Sequence, residues 1–282
     1  MIDTVIVALD GSGLAEQALP LAKQLAEHME AELFLLQVIR LDASVDTRDE
    51  ARVYLEETAR TLGIPAQVMV RIGQPTEEII ASAVDVPESI IVMTTHGRGG
   101  LGRLLYGSVA DRVVRDSRIP VLLIRAGLVP SATEPLKSII VPLDGSVYAE
   151  TALPQAIELA RAFDADLWLA RVAVANMALG GPLTTRSLAE GYQHVVREAG
   201  SYLDAVAERL GDTGVRVHTR LLEGFAEDAI LAFERQAAID LVVIATRARA
   251  VGLSGLGIQS LAQEMLRHGV SPVLMIRTAV AA

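Results

Sequence analysis

Residues 96–108 read HGRGGLGRLLYGS and follow directly on the apolar run IIVMTT. Glycines at 97, 99, 100, 102 and 107 let an anion approach the main chain closely. A helix opening near Gly107 would present unpaired N–H groups and the positive end of its dipole. Ser108 adds a hydroxyl donor, and the chemistry these groups suit is phosphate binding. Arg98 or Arg103 can offset charge, although exposed loop arginines are more often simply solvated. The second chemical signal is VALDGS, residues 7–12. A carboxylate at a strand end, here Asp10, can accept hydrogen bonds from ribose hydroxyls. The alternative is that Asp10 and Ser12 only cap the helix that follows.

Competing motifs do not fit. GRGGLG, Gly97 to Gly102, satisfies the dinucleotide pattern G-x-G-x-x-G, but it follows the fourth expected strand and not the first, and it has no acidic partner at the next strand end. No lysine lies near a glycine loop, which removes the Walker A phosphate loop. No G-x-S-x-G elbow occurs either. His96 has no Ser/His/Asp set within reach, and His28, His194, His218 and His268 are scattered without metal-ligand spacing. With no convincing base to orient water, the chain reads as a non-enzyme, or at most a slow ATPase.

The elements that would position these loops occur twice. DTVIVALDGSGLAEQALPLAKQLAEHMEAELFLLQVI from Asp3 corresponds to KSIIVPLDGSVYAETALPQAIELARAFDADLWLARVA from Lys137, a tandem duplication. In the first copy the patterns predict strand TVIVAL, helix 14–28, strand 32–39, helix 47–62, strand AQVMVRI, helix 75–84, strand SIIVMT, a helix from about Gly107 to Asp116, and strand PVLLIR. The second copy repeats strands as SIIVPLD, DLWLARV, VRVHTRL, LVVIAT and PVLMIR. Continuous Val/Ile/Leu runs alternating with helices imply parallel strands buried on both faces. The fold class expected is α/β, two tandem doubly wound, Rossmann-like parallel-sheet domains of strand order 3-2-1-4-5. In that order the loops after strands 1 and 4 face each other across one cleft. AGLVPSATEPL, with two prolines, reads as a linker, which gives domains 1–126 and 137–282 joined by 127–136. Segments 40–48 and 174–184 lack periodicity.

Composition agrees with two helix-covered sheets. The chain has 282 residues, 51% hydrophobic and only 4% aromatic, so the core must be built from Ala, Val, Leu and Ile. Cysteine is absent, which excludes disulfides, thiolate metal sites and cysteine nucleophiles. A net charge of -10 argues against a nucleic-acid partner. The start, MIDTVIVALDGS, lacks a signal-peptide pattern, and no apolar run approaches a membrane span. The expectation is a cytoplasmic protein with no membrane or nucleic-acid partner.

VALDGS, QVI and above all MTTHGRGGLGRLLYGSVADRVVRDSRIPVLLIR resemble the universal stress protein family, in its tandem two-domain form, across nearly the whole chain. The resemblance implies ATP as ligand, with Mg2+ or Mn2+ held mainly by the phosphates. In the family's G-x2-G-x9-G-[ST] pattern, Gly97, Gly107 and Ser108 hold the later positions and Thr94 stands at the first glycine. By resemblance Ala8 and Val38 would flank adenine, and Asp10 and Thr94 would meet the ribose. Gly97, Gly107, Ser108 and Val109 would hold phosphates, and Leu9, Met93, His96 and Arg98 complete the expected site. The second copy has Ala248 and Gln259 at glycine positions, although Asp144 and Ser260 survive, so its mouth is expected to be poor for a triphosphate. PVLLIR and PVLMIR are implied to be edge strands that pair the two copies as a pseudo-dimer, with homodimerisation of two chains a further expectation. The function implied is a nucleotide-dependent adaptor in stress response, acting on an unidentified protein partner. The alternatives are a dimeric interaction scaffold that binds no nucleotide, or the slow ATPase.

Overall fold

A computed structural model describes residues 1–42, 44–86, 88–95, 107–128, 134–174, 185–247 and 258–278, with backbone alone for 185–190, 247, 258–260 and 278. The earlier half runs β1 (Thr4–Leu9), α1 (Leu19–His28), β2 (Glu32–Ile39), α2 (Val45–Leu62), β3 (Gln67–Ile72), α3 (Pro75–Val84), β4 (Ser89–Thr94), α4 (Ser108–Asp116) and β5 (Val121–Ile124). The later half runs β6 (Ser138–Pro142), α5 (Val147–Glu150), α6 (Leu153–Phe163), β7 (Asp166–Ala173), α7 (Thr185–Leu210), β8 (Val217–Glu223), α8 (Ala226–Gln236), β9 (Leu241–Arg247), α9 (Ile258–His268) and β10 (Val273–Thr278).

All ten strands form one sheet, in the order β3-β2-β1-β4-β5-β10-β9-β6-β7-β8. Each half has the expected 3-2-1-4-5 order, and the two halves are joined through their last strands. β5 and β10 pair antiparallel, with Leu122 opposite Leu274 and Leu123 opposite Val273, whereas the other pairings are parallel. The duplicated closing strands therefore cover each other's edges within one chain.

Strand alternation sends side chains to two apolar layers. Val5, Val7, Leu9, Leu122, Ile139 and Leu274 join α1, α2, α6 and α7 on one face. Ile6, Met93, Leu123, Ile140 and Ile244 join α3, α4, α8 and α9 on the other. Both layers run through both halves without a break, and His28 of α1 stacks on Phe163 of α6 with ring centroids 4.3 Å apart.

Strand ends shift by one or two residues from the sequence reading, and two helix boundaries differ for a definable reason. The helix predicted over 14–28 is divided into a 3-10 turn, Ala15–Ala18, and α1. Pro20 is the cause: it has no N–H for a bond to Glu16 and is tolerated only in a first turn, where it stands in α1. The later half repeats the break before Pro154, between α5 and α6. α2 starts at Val45 and not at 47, because Ser44 caps it by accepting from the Thr47 N–H at 3.3 Å.

Candidate functional site

β1 and β4 are adjacent and lie where the strand order of the earlier half reverses, so their carboxyl ends flank a crevice. Beyond β1 the chain turns sharply at Gly11, whose φ of 79° favours glycine. This turn lets Asp10 Oδ1 accept from the Ser12 N–H at 3.0 Å and from its hydroxyl at 2.6 Å. The Ser12 oxygen in turn accepts from the Ala15 N–H at 3.2 Å. The capping role foreseen as an alternative for Asp10 and Ser12 is thus present, and Asp10 is held, half-buried, at the mouth. Asp144, Gly145 and Ser146 repeat this geometry in the later half, with 2.9 and 2.6 Å bonds and a φ of 89°.

A paired tyrosine and carboxylate stand behind each turn. The Tyr54 hydroxyl donates to Glu16 at 2.9 Å, and the Tyr202 hydroxyl donates to Glu150 at 2.9 Å. Burial, reinforced by the neighbouring carboxylate, pushes both phenols well above their ordinary range, so they remain protonated donors. The pairs tie α2 and α7 to the turns that follow β1 and β6. Sequence reading missed them; Glu16 and Glu150 hold the same place in the repeated AE-x-ALP, but the tyrosines follow 38 and 52 residues later, so no fixed spacing marks the pairs.

Ala8, Val38 and Val109 pack, half-buried, on the layer that contains Met93, and so form an apolar wall on one side of the sheet. Leu9 is buried in the opposite layer and contributes main chain, not side chain, to the mouth. Thr94 is buried at the end of β4, where alternation places it on the face opposite Met93.

The base of the glycine loop is tied at Thr95, a residue the sequence reading passed over. Its N–H donates to Ile124 at 2.9 Å, its carbonyl accepts from the Gly107 N–H, and its hydroxyl oxygen accepts from the Ala126 N–H at 3.1 Å. Both ends of the 95–107 segment are therefore fixed beside β5. Gly107 caps α4 with φ −57° and ψ 147°, a conformation open to any residue. Ser108 is exposed and Val109 half-buried at the first turn of α4. His96, Gly97, Arg98 and Arg103 lie outside the described residues. Among the described residues, no group of three or more His, Asp or Glu is arranged to hold a metal ion, and no helix is long and apolar enough to cross a membrane.

Thr95→Val is expected to lower stability by about 1–3 kcal/mol, because the hydroxyl oxygen that accepts from Ala126 is lost inside the fold. Thermal unfolding checks this, and Thr95→Ser should recover most of the loss.

The later half has its own mouth, above β6 and β9. A cavity of about 550 Å³ opens beside it, over the ends of β6 and β7, between Asp144, Val172, α7 and α8. Ala248 lies outside the described residues. Gln259 and Ser260 occupy the first turn of α9.

The duplicated 3-2-1-4-5 sheet, with the Asp10 turn and the start of α4 at one switch point, coincides with a match to the model of the universal stress protein family over residues 1–125 and 135–277. The chain belongs to this family. Universal stress protein YxiE of Bacillus subtilis is 32% identical over 149 residues, which span 44% of this chain and all of that protein. Universal stress protein MJ0531 of Methanocaldococcus jannaschii is 29% identical over 146 residues, 50% of this chain and 82% of that one. The crystal structure of a universal stress protein from Archaeoglobus fulgidus superposes over 99% of this chain and 100% of its own, with a TM-score of 0.76 and 20% identity. At that identity the likeness speaks for the fold, and the fold is a universal stress protein domain written twice.

Proposed function

We propose that this universal stress protein binds an adenine nucleotide, ATP in the first instance, at the mouth of its earlier half. The observation that carries the reading is that the Asp10 turn and the start of α4 meet at a single switch point. They lie beside an apolar wall of Ala8, Val38 and Val109 that suits a flat base. The residues present fit such a ligand. Asp10 would meet the ribose, and the first N–H groups of α4 with the Ser108 hydroxyl would meet phosphate. A divalent ion, where present, would ride on the phosphates. Gly97, His96 and Arg98 would complete the cradle from 96–98, and Thr94 supports it from beneath.

Nucleotide occupancy would alter the surface around 95–107 that is offered to a protein partner, making the chain a cytoplasmic adaptor in stress response. Residues 1–126 would form the binding domain, 127–136 the linker and 137–282 the partner domain. Nothing at the described part of the mouth supplies a base for water, so hydrolysis is expected to stay near the uncatalysed rate.

Titration calorimetry with ATP and Mg2+ tests the proposal. About one site per chain is expected. Gly107→Val should weaken binding by at least about tenfold, since a branched side chain at that helix start stands between phosphate and amides. Absence of binding, or equal affinity in the variant, would remove the reading.

A further inference from the structure

The ten-stranded sheet ends at β3 and β8, and neither strand has a neighbour on its outer side among the described residues. An open edge presents a row of unpaired N–H and C=O groups, and folds commonly blunt such edges with charge. β8 is blunted. Arg216 just before it, His218 and Arg220 alternate along it, all exposed, and the first two reach Asp166 of β7. β3 is not. It reads QVMVRI, and its one charged side chain, Arg71, is drawn to Asp85 at the end of α3, 3.5 Å away. What is left is a short run of strand-forming residues whose main chain is bare along one side.

The flank of α2 beside this edge is charged in a particular order. A hollow of about 350 Å³ lies between α2 and β3, lined by Arg48, Asp49, Arg52, Val70 and Ile72. Helical spacing puts Glu56 on the same flank, four residues beyond Arg52. None of Arg48, Asp49, Arg52 and Glu56 forms an ion pair with another described residue. Two cations and two anions on one flank do not select an acidic or a basic partner; they suit a surface that carries the same four charges in reverse order.

Such a surface is the flank itself turned about a two-fold axis. α2 connects the parallel strands β2 and β3 and so runs opposite to β3. Four helical residues rise about 6 Å and two strand residues about 6.6 Å, so Arg48, Arg52 and Glu56 keep step with Ile72, Val70 and Val68. Val68 and Val70 belong to the apolar layer on the α2 side of the sheet, Met69 to the other. When two copies join antiparallel with Val70 facing Val70, Val68 faces Ile72 and each side of the sheet is kept; a slip of one residue would set the α2 side against the α3 side. The same rotation lays Arg48 opposite Glu56 of the second copy and brings Arg52 within reach of its Asp49. All four charges find an opposite, which is the self-complementarity that an isologous interface requires.

We propose that β3 and the adjoining flank of α2 form a two-fold, antiparallel interface with a second copy of this chain, which carries the sheet from one chain into the next. The interface does not depend on the nucleotide reading of the earlier half. Sedimentation of the full chain should show twice the mass of one chain. Arg48→Glu with Arg52→Glu, and separately Asp49→Lys with Glu56→Lys, bring like charges together and should each weaken the dimer by at least about tenfold. An equimolar mixture of the two double variants restores opposite charges at every pair and should recover a dimer of near wild-type affinity. All four positions are exposed, so circular dichroism should show both variants folded. The single exchanges Arg48→Glu and Glu56→Lys, alone and mixed, repeat the test with a smaller change in charge. Thr219→Glu, on the edge of β8, should leave the dimer unchanged. The proposal is overturned by a monomeric wild type, by a dimer indifferent to the charge variants, or by a mixture that stays apart. Growth beyond the dimer, which would set β3 on β8, or a dimer lost through Thr219→Glu overturns it equally.

Discussion

Alanine at Leu122 or at Leu274 is expected to lower stability by about 2–5 kcal/mol, and the double variant by less than the sum of the two. Leu122 is 1% exposed and Leu274 0% exposed, and they face each other across the antiparallel junction of β5 and β10. Truncating either removes a large buried side chain and leaves a void against its partner. The second truncation then deletes contacts the first has already weakened. A shortfall of roughly 0.5–1 kcal/mol from additivity should result. A domain of ordinary stability, about 5–15 kcal/mol, would lose a large fraction of it in the double variant. Urea unfolding of the four proteins measures the cycle. Because the apolar layer containing this pair runs through both halves, the wild type should unfold in one transition. Two separate transitions, or strict additivity, would mean that the halves fold as independent bodies joined only by backbone.

That junction was open to inference from sequence, while much of the site was not. PVLLIR and PVLMIR are short, apolar and terminal in their copies, and unpaired edges of that kind must be covered, so their mutual pairing followed from edge-strand physics and the family resemblance. The parallel order followed from strand-helix alternation, since right-handed crossovers leave few topologies. Pro20 was visible too, yet the apolar period running from Ala15 to His28 outweighed it, because a proline in a first turn and a proline at a break look alike without coordinates. Thr95 escaped notice because its role lies in three bonds to residues 12, 29 and 31 positions away, a pattern with no sequence period. Leu9 was drawn into the site by its neighbours in VALDGS, although alternation alone turns it to the other layer. The later mouth was judged by the glycines it lacks. Its cavity is lined instead by Val174, Phe225 and Val195, which come together only in three dimensions, from just after β7, just before α8 and from α7.

Glu234→Leu is expected to cost about 3–5 kcal/mol, more than most core truncations of similar size. Glu234 is fully buried on α8, and its Oε1 accepts from the Val270 N–H at 2.9 Å and the Ser271 N–H at 2.8 Å. Replacing a buried ion pair by apolar groups is often harmless, because both charged partners disappear together. Here the partners are main-chain amides in the turn between α9 and β10, and no side-chain substitution removes them. Leucine would leave the buried Ser271 N–H and the part-buried Val270 N–H without an acceptor, at about 1–3 kcal/mol for a fully buried donor. The turn cannot relax easily. A Cβ at Gly269 would lie 2.3 Å from the Met265 carbonyl oxygen and 3.1 Å from Glu234 Oε1, so helix end, carboxylate and turn are already in close contact. The Ser271 hydroxyl also donates to the Ile239 carbonyl at 2.6 Å, which binds the same turn to the segment before β9. Glu234→Gln keeps a carbonyl acceptor of the same reach and should recover more than half of the loss. Chemical denaturation of the two variants beside wild type decides the matter. A leucine variant as stable as wild type, or a glutamine variant no better than leucine, would show that the turn does not depend on an acceptor at this position.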